Sequence, residues 1–190
     1  MIDFSPILER KTNWTRFAAQ FSKQDLIDQT NQLTDTLLGL ISDASDDDVV
    51  FIPEDPEAYD PYAENPEDET ISWSLAHIIV HITASNEESA FLAAELARGV
   101  AVELRRSRWE VPWQDVTTVE QCRQRLEESR RMLLASLELW PDRPHLGNHY
   151  KSHAGLKINP MVRFLLGQNH AASHLQQIQD ALWQSRNVRQ

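Results

Sequence analysis

The chain reads as an all-α protein: a four-helix bundle with a short N-terminal helix and a long, acidic, proline-rich loop between the first two bundle helices. Three observations predict this. Only five glycines interrupt the 190 residues. Four long segments repeat apolar residues at spacings of three and four, and each opens on a Ser, Thr or Asn suited to an N-cap. No segment shows a convincing strand alternation of apolar and polar residues. The length fits one domain spanning residues 1–190, enough to bury a substantial core.

Trp14 to Phe21 forms the short N-terminal helix. Ser22 with Asp25 resembles a capping box, and Leu26, Thr30, Leu33, Leu37 and Ile41 then lay one stripe along a first long helix, from about residue 23 to about residue 42. Ser74 is the N-cap of a second helix that reaches Arg98, where Gly99 provides a stop. Thr117 with Glu120 opens the third, whose stripe of Val119, Cys122, Leu126, Leu133, Leu137 and Trp140 continues to Pro141. Asn159 and Pro160 are an N-cap and first-turn pair, and the fourth helix carries Leu165, Ala171, Leu175, Ile178 and Leu182 toward the core.

The net charge of −11 is concentrated in one region. Between Lys23 and Arg98 there is no Lys or Arg, while 18 of the 29 acidic residues lie there, twelve of them between Asp43 and Glu69. Pro53, Pro56, Pro61 and Pro66 stud that segment, so it reads as an extended, solvated loop over about residues 43–70, a spacer or a lid over one bundle end. Phosphate backbones would be repelled by such a surface, which argues against nucleic acid as a partner. A Ca²⁺ loop is disfavoured as well, because the ligand spacing and turn glycine of an EF-hand are missing. The apolar runs, such as Met161 to Leu166, are too short to cross a bilayer, and Met-Ile-Asp-Phe-Ser-Pro lacks the features of a signal peptide. A cytoplasmic location is expected, in keeping with the single Cys122, which reads as a buried core residue.

Four histidine pairs stand at i, i+4: His77 with His81, His145 with His149, His149 with His153, and His170 with His174. That spacing puts two imidazoles on one helix face, where they can share a metal ion if a third ligand arrives from elsewhere. His145, His149 and His153 lie among Pro144, Gly147 and Gly155, so they read as loop residues at the surface or a site rim. His77 falls in the first turn of the second helix. A bundle can bring His81 to His170 and His174, giving an open three-imidazole site; ordinary core or surface histidines are the competing reading.

Trp73-Ser74 followed by His81, and then His170-x-x-x-His174-Leu175-x-x-Ile178 in the last helix, resembles the DinB-like family of four-helix-bundle metal-dependent proteins. The similarity runs from the first long helix to about residue 185. It implies that His81, His170 and His174 hold a divalent metal ion, with zinc favoured and nickel, iron or manganese as alternatives. It further implies a metal-dependent enzyme, a thiol S-transferase or a hydrolase, that activates a low-molecular-weight thiol or water toward a small-molecule substrate. The chain departs from the family pattern at His77, where a Glu that completes a capping box is common.

Glu88, seven residues after His81 and on the same helix face, is the candidate for proton transfer, against the plainer reading of a solvated helix Glu. Arg163 and Lys157 are weaker candidates for holding a carboxylate. From a different class comes the alternative of a non-catalytic, metal-binding or oligomeric stress-related bundle protein. In that case Trp109, Trp113 and Trp183 would line a homodimer surface, although core packing explains them equally well.

Overall fold

The computed structural model describes residues 1–56, 58–59, 66–101, 112–152 and 154–188. Two short helices start the chain, α1 (Ser5–Leu8) and α2 (Trp14–Ala18), where one was expected. α2 ends at Ala18 rather than Phe21 because the Gln20 and Phe21 amides turn back to the Phe17 and Ala18 carbonyls, tightening the chain out of the α-helix. The capping box of α3 (Lys23–Leu40) forms as read: the Ser22 side chain accepts from the Asp25 amide, and the Ser22 amide donates to Asp25 Oδ2 at 2.7 Å.

The acidic segment begins differently from the extended loop expected of it. Asp46–Val50 forms a helix, α4, opened by a second capping box in which the Ser45 amide and hydroxyl both donate to Asp48 Oδ2. Carboxylates in the first turn oppose the positive end of the helix dipole, so the like charges that suggest an open loop here help the helix start. Val49 is fully buried, and Asp46 Oδ1 accepts from the Val119 amide at 2.9 Å. Prolines bar a regular helix only from Pro53 onward, where a 3₁₀ turn covers Pro66–Asp68. Residues 57 and 60–65 of the expected loop lie outside the described residues.

α5 (Leu75–Ala97) is the central helix: eighteen of its 23 residues are buried. α6 (Val119–Glu138) packs on it and on α3. Its cap is one residue later than expected, with Thr118 accepting from the Gln121 amide. A two-stranded antiparallel ribbon, β1 (Tyr150–Lys151) with β2 (Lys157–Ile158), occupies part of the segment read as loop. α7 (Pro160–Ser173) then packs along α5, with Asn159 Oδ1 accepting from the Val162 amide. The fourth long helix is not continuous. It breaks at His174, and α8 (Leu175–Val188) lies against α3, α4 and α5 through Ile178, Ala181 and Leu182.

Two apolar clusters build the core, one around Leu33, Leu37, Ile78 and Leu126, the other around Leu26, Ala93, Leu133 and Phe164. A polar band lies between them. Thr30, Thr34 and Thr83 donate their hydroxyls to carbonyls of their own helices, and Gln168 Nε2 donates to Asn86 Oδ1 at 3.2 Å. Gly167 lets α7 come close to α5: a Cβ there would stand 2.5 Å from the Ser89 Cβ. Glu87 of α5 and Arg125 of α6 are ion-paired at 2.6 Å with little exposure on either side, which makes removal of one partner costly. Among the described residues, no helix is long and apolar enough to cross a membrane.

Candidate metal centre

Local sequence signals place each ligand candidate. Ser74 Oγ accepts from the His77 amide at 3.3 Å and fixes the start of α5, so His81 lies in its second turn. Asn159 and Pro160 start α7, and His170 occupies its last turn. His174 is the C-cap of α7 at φ −89° and ψ −1°, and its carbonyl accepts from the Ile178 amide of α8. It therefore serves both helices.

The three rings converge. One ring nitrogen from each of His81, His170 and His174 lies within 4.8 Å of the other two, and His81 Nε2 is 2.8 Å from His170 Nε2. Tetrahedral coordination at about 2.0–2.1 Å from each nitrogen needs donor separations of about 3.4 Å, so small ring movements suffice to place one ion among them. Among the described residues this is the one group of three or more His, Cys, Asp or Glu side chains so arranged. All three histidines are half-buried.

The donor chemistry fits a divalent ion. Burial pushes the His174 pKa below its ordinary value, against an opposing effect of Gln177, so the neutral ring that a metal requires is favoured at neutral pH. His174 Nδ1 stands 2.7 Å from Gln177 Oε1. An N–H at Nδ1 donates to that oxygen and leaves the Nε2 lone pair for the ion, the outer support usual for ligating imidazoles. Gln177 escaped the sequence reading, although an amide three residues after a candidate ligand is a signal open to view.

Trp73 roofs the cluster. Its ring centroid is 4.6 Å from that of His81 and 5.8 Å from that of His174, nearly parallel to the latter at 17°. Trp113, read as core or dimer surface, packs against the core and stacks on His77 at 4.8 Å.

The other sequence candidates lie elsewhere. Glu88 faces Arg163, with 3.9 Å between Oε2 and Nη2, so each has the other's charge beside it and neither belongs to the ligand group. Lys157 sits on β2. His145 donates its amide to the Ala97 carbonyl and packs its ring against Gly99 (φ +83°), at the opposite end of α5 from His81. In the same region, Asn148 Nδ2 donates to the Leu96 and Val100 carbonyls, and exposed His149 places Nδ1 2.9 Å from the Gly147 carbonyl. His153 and Trp109 lie outside the described residues. Cys122 is fully buried, and its thiol pKa is pushed up to about 12, first by burial and then by the Asp46 carboxylate, so it is no nucleophile at neutral pH.

No curated protein and no solved structure matches the chain. The family model of the DinB superfamily matches residues 29–178, a span that runs from α3 into α8 and includes all three converging histidines. The chain belongs to the DinB superfamily.

Proposed function

We propose that His81, His170 and His174 bind one divalent ion, zinc before nickel, iron or manganese, in a cytoplasmic enzyme. The enzyme would activate a low-molecular-weight thiol or water for attack on an electrophilic small molecule. The observation that carries this reading is the convergence of three imidazoles with, among the described residues, no carboxylate or thiolate in the group. Three neutral donors leave coordination positions open, the pattern of a catalytic rather than a closed structural site.

An ion held there supplies Lewis acidity, which lowers the pKa of a thiol or water bound beside it. The chain's own residues do the rest. Gln177 holds the His174 ring in one tautomer and orientation, and Trp73 covers one side of the cluster and keeps bulk water from it. Glu88, which faces Arg163 at 3.9 Å, is the candidate for moving the proton.

A second reading draws on Trp183, which is 68% exposed on α8 and available to a homodimer surface. It describes a metal-binding oligomer without chemistry. Elemental analysis of the purified protein beside its His81→Ala and His174→Ala variants tests the common ground. One equivalent of divalent metal, lost in both variants, is expected, and metal-free unmutated protein refutes the site. Thiol-consumption assays with several cellular thiols and a reactive halide or epoxide then separate the two readings: turnover supports the enzyme, and silence across the panel favours the binding protein.

A further inference from the structure

Five aromatic rings contact one another in a chain at the start of α5. The His77 imidazole lies between two indoles, 4.5 Å from Trp73 at 25° and 4.8 Å from Trp113 at 2°. Trp73 also contacts the rings of His174, at 5.8 Å and 17°, and, more tilted, His81, at 4.6 Å and 51°. His77 is 9% exposed, and its amide is tied to Ser74 Oγ, so the ring is anchored at the helix's first turn. It stands outside the group of converging ligand nitrogens.

We propose that His77 is a positioning residue for the metal centre: as a flat wedge backed by Trp113, it presses Trp73 onto the rings of His81 and His174 and fixes their orientation. This rests on reading the three histidines as a metal site. The physical basis is the softness of an imidazole about its last torsion, where the rotamer preference is broad. His174 is held by the hydrogen bond to Gln177 and by edge contacts with the rings of His81 and His170, and a nearly parallel indole supplies a further restraint. Trp73 can supply it only while it is itself held in place, and His77 fills the space between the two indoles. Trp113 precedes α6, in the 3₁₀ turn Trp113–Asp115, so the wedge also couples the segment before α6 to the two ligand rings beyond Trp73.

The test uses the full chain and Co²⁺, whose visible absorption reports ligand geometry. Affinity and spectrum are compared for the unmutated protein, His77→Ala, His77→Phe and Trp113→Ala, with circular dichroism to verify folding. His77→Ala and Trp113→Ala are expected to weaken Co²⁺ binding by ~10-fold or more and to alter the absorption bands, the scale usual for outer supports of metal ligands. His77→Phe, which keeps a flat ring between the indoles, is expected to retain both affinity and spectrum. Unmutated behaviour in His77→Ala overturns the proposal, and so does a His77→Phe variant as weak as His77→Ala, since the nitrogens and not the stack would then matter. If His77→Ala fails to fold, Trp113→Ala decides by the same criterion, because Trp113 stacks on His77 rather than on a ligand ring.

A metal-free measurement separates this idea from the metal reading. The Trp73 ring current displaces the imidazole proton NMR signals of His81 and His174, and those displacements are expected to shrink in His77→Ala and persist in His77→Phe. Should the unmutated protein bind no Co²⁺, the metal site falls, and the ring-current shifts alone judge the wedge: unchanged shifts in His77→Ala overturn it.

Discussion

Gly167→Ala probes the contact that holds together the two helices carrying His81 and His170. The new Cβ would lie 2.5 Å from the Ser89 Cβ and 2.8 Å from both Ser89 Oγ and Asn86 Oδ1. Carbon atoms in good contact sit about 3.5–4.0 Å apart, so the overlap is about 1 Å or more, and a Cβ fixed to its own backbone cannot rotate out of it. Relief requires α5 and α7 to separate. Overpacking of this kind costs about 1–3 kcal/mol, and the rigidity of both atoms puts this case near the top; the helix-propensity gain of Ala over Gly returns about 1 kcal/mol. The net expectation is a loss of about 2 kcal/mol, or ~4–8 °C in melting temperature for a chain of this size. Gly39 is the control. It lies exposed near the end of α3, where an added methyl would meet nothing within 4 Å, so Gly39→Ala should gain up to ~1 kcal/mol from propensity alone. Thermal and urea unfolding followed by circular dichroism measure both. Gly167→Ala as stable as the parent, or both variants shifting in the same direction, would refute the close α5–α7 approach. Because Gly167 lies three residues before His170, the same variant should also weaken divalent-metal binding.

Cys122, its thiol pKa pushed up to about 12 by burial and the Asp46 charge, should resist a disulfide reagent at pH 8 in the native protein and react at once in denaturant; rapid native labelling would show that the α6 core face opens. Gln177→Leu removes the acceptor at His174 Nδ1 and should weaken metal binding by ~10-fold or more while leaving helicity intact; an unchanged dissociation constant would show that the hydrogen bond does not support the ligand.

Much of this architecture is legible in the sequence because its signals are local. The Ser22 and Asp25 box, the Asn159 and Pro160 pair and the apolar stripes act within a few residues, and α3 and α7 start where those residues say. The shifted cap of α6 shows the limit of such signals: Thr117 with Glu120 and Thr118 with Gln121 both fit the pattern, and Gln121 wins by accepting from the amides of Thr117 and Thr118 together. Charge conceals the helix in Asp46–Val50, although Ser45 and Asp48 spell a capping box; what stabilises it further is the long-range bond from Val119, which local reading cannot supply. Nothing in His-Ala-Ala-Ser-His-Leu announces a helix break, since every residue there tolerates a helix. His81, His170 and His174 could be matched through their order along the chain, whereas the His77 and Trp113 stack joins segments 36 residues apart and has no sequence signature.

The break at His174 changes what an i, i+4 histidine pair means in this protein. In an unbroken helix the backbone ladder alone presets the distance between two such rings. Here the second ring sits at a joint, and its placement depends on the docking of the whole C-terminal helix through Ile178, Ala181 and Leu182. On the proposed metal reading, the ordering entropy of those fourteen residues would therefore enter the chelate effect: an ion captured by all three rings would draw on the hydrophobic burial of α8, and α8 in turn would be held more firmly with the ion bound.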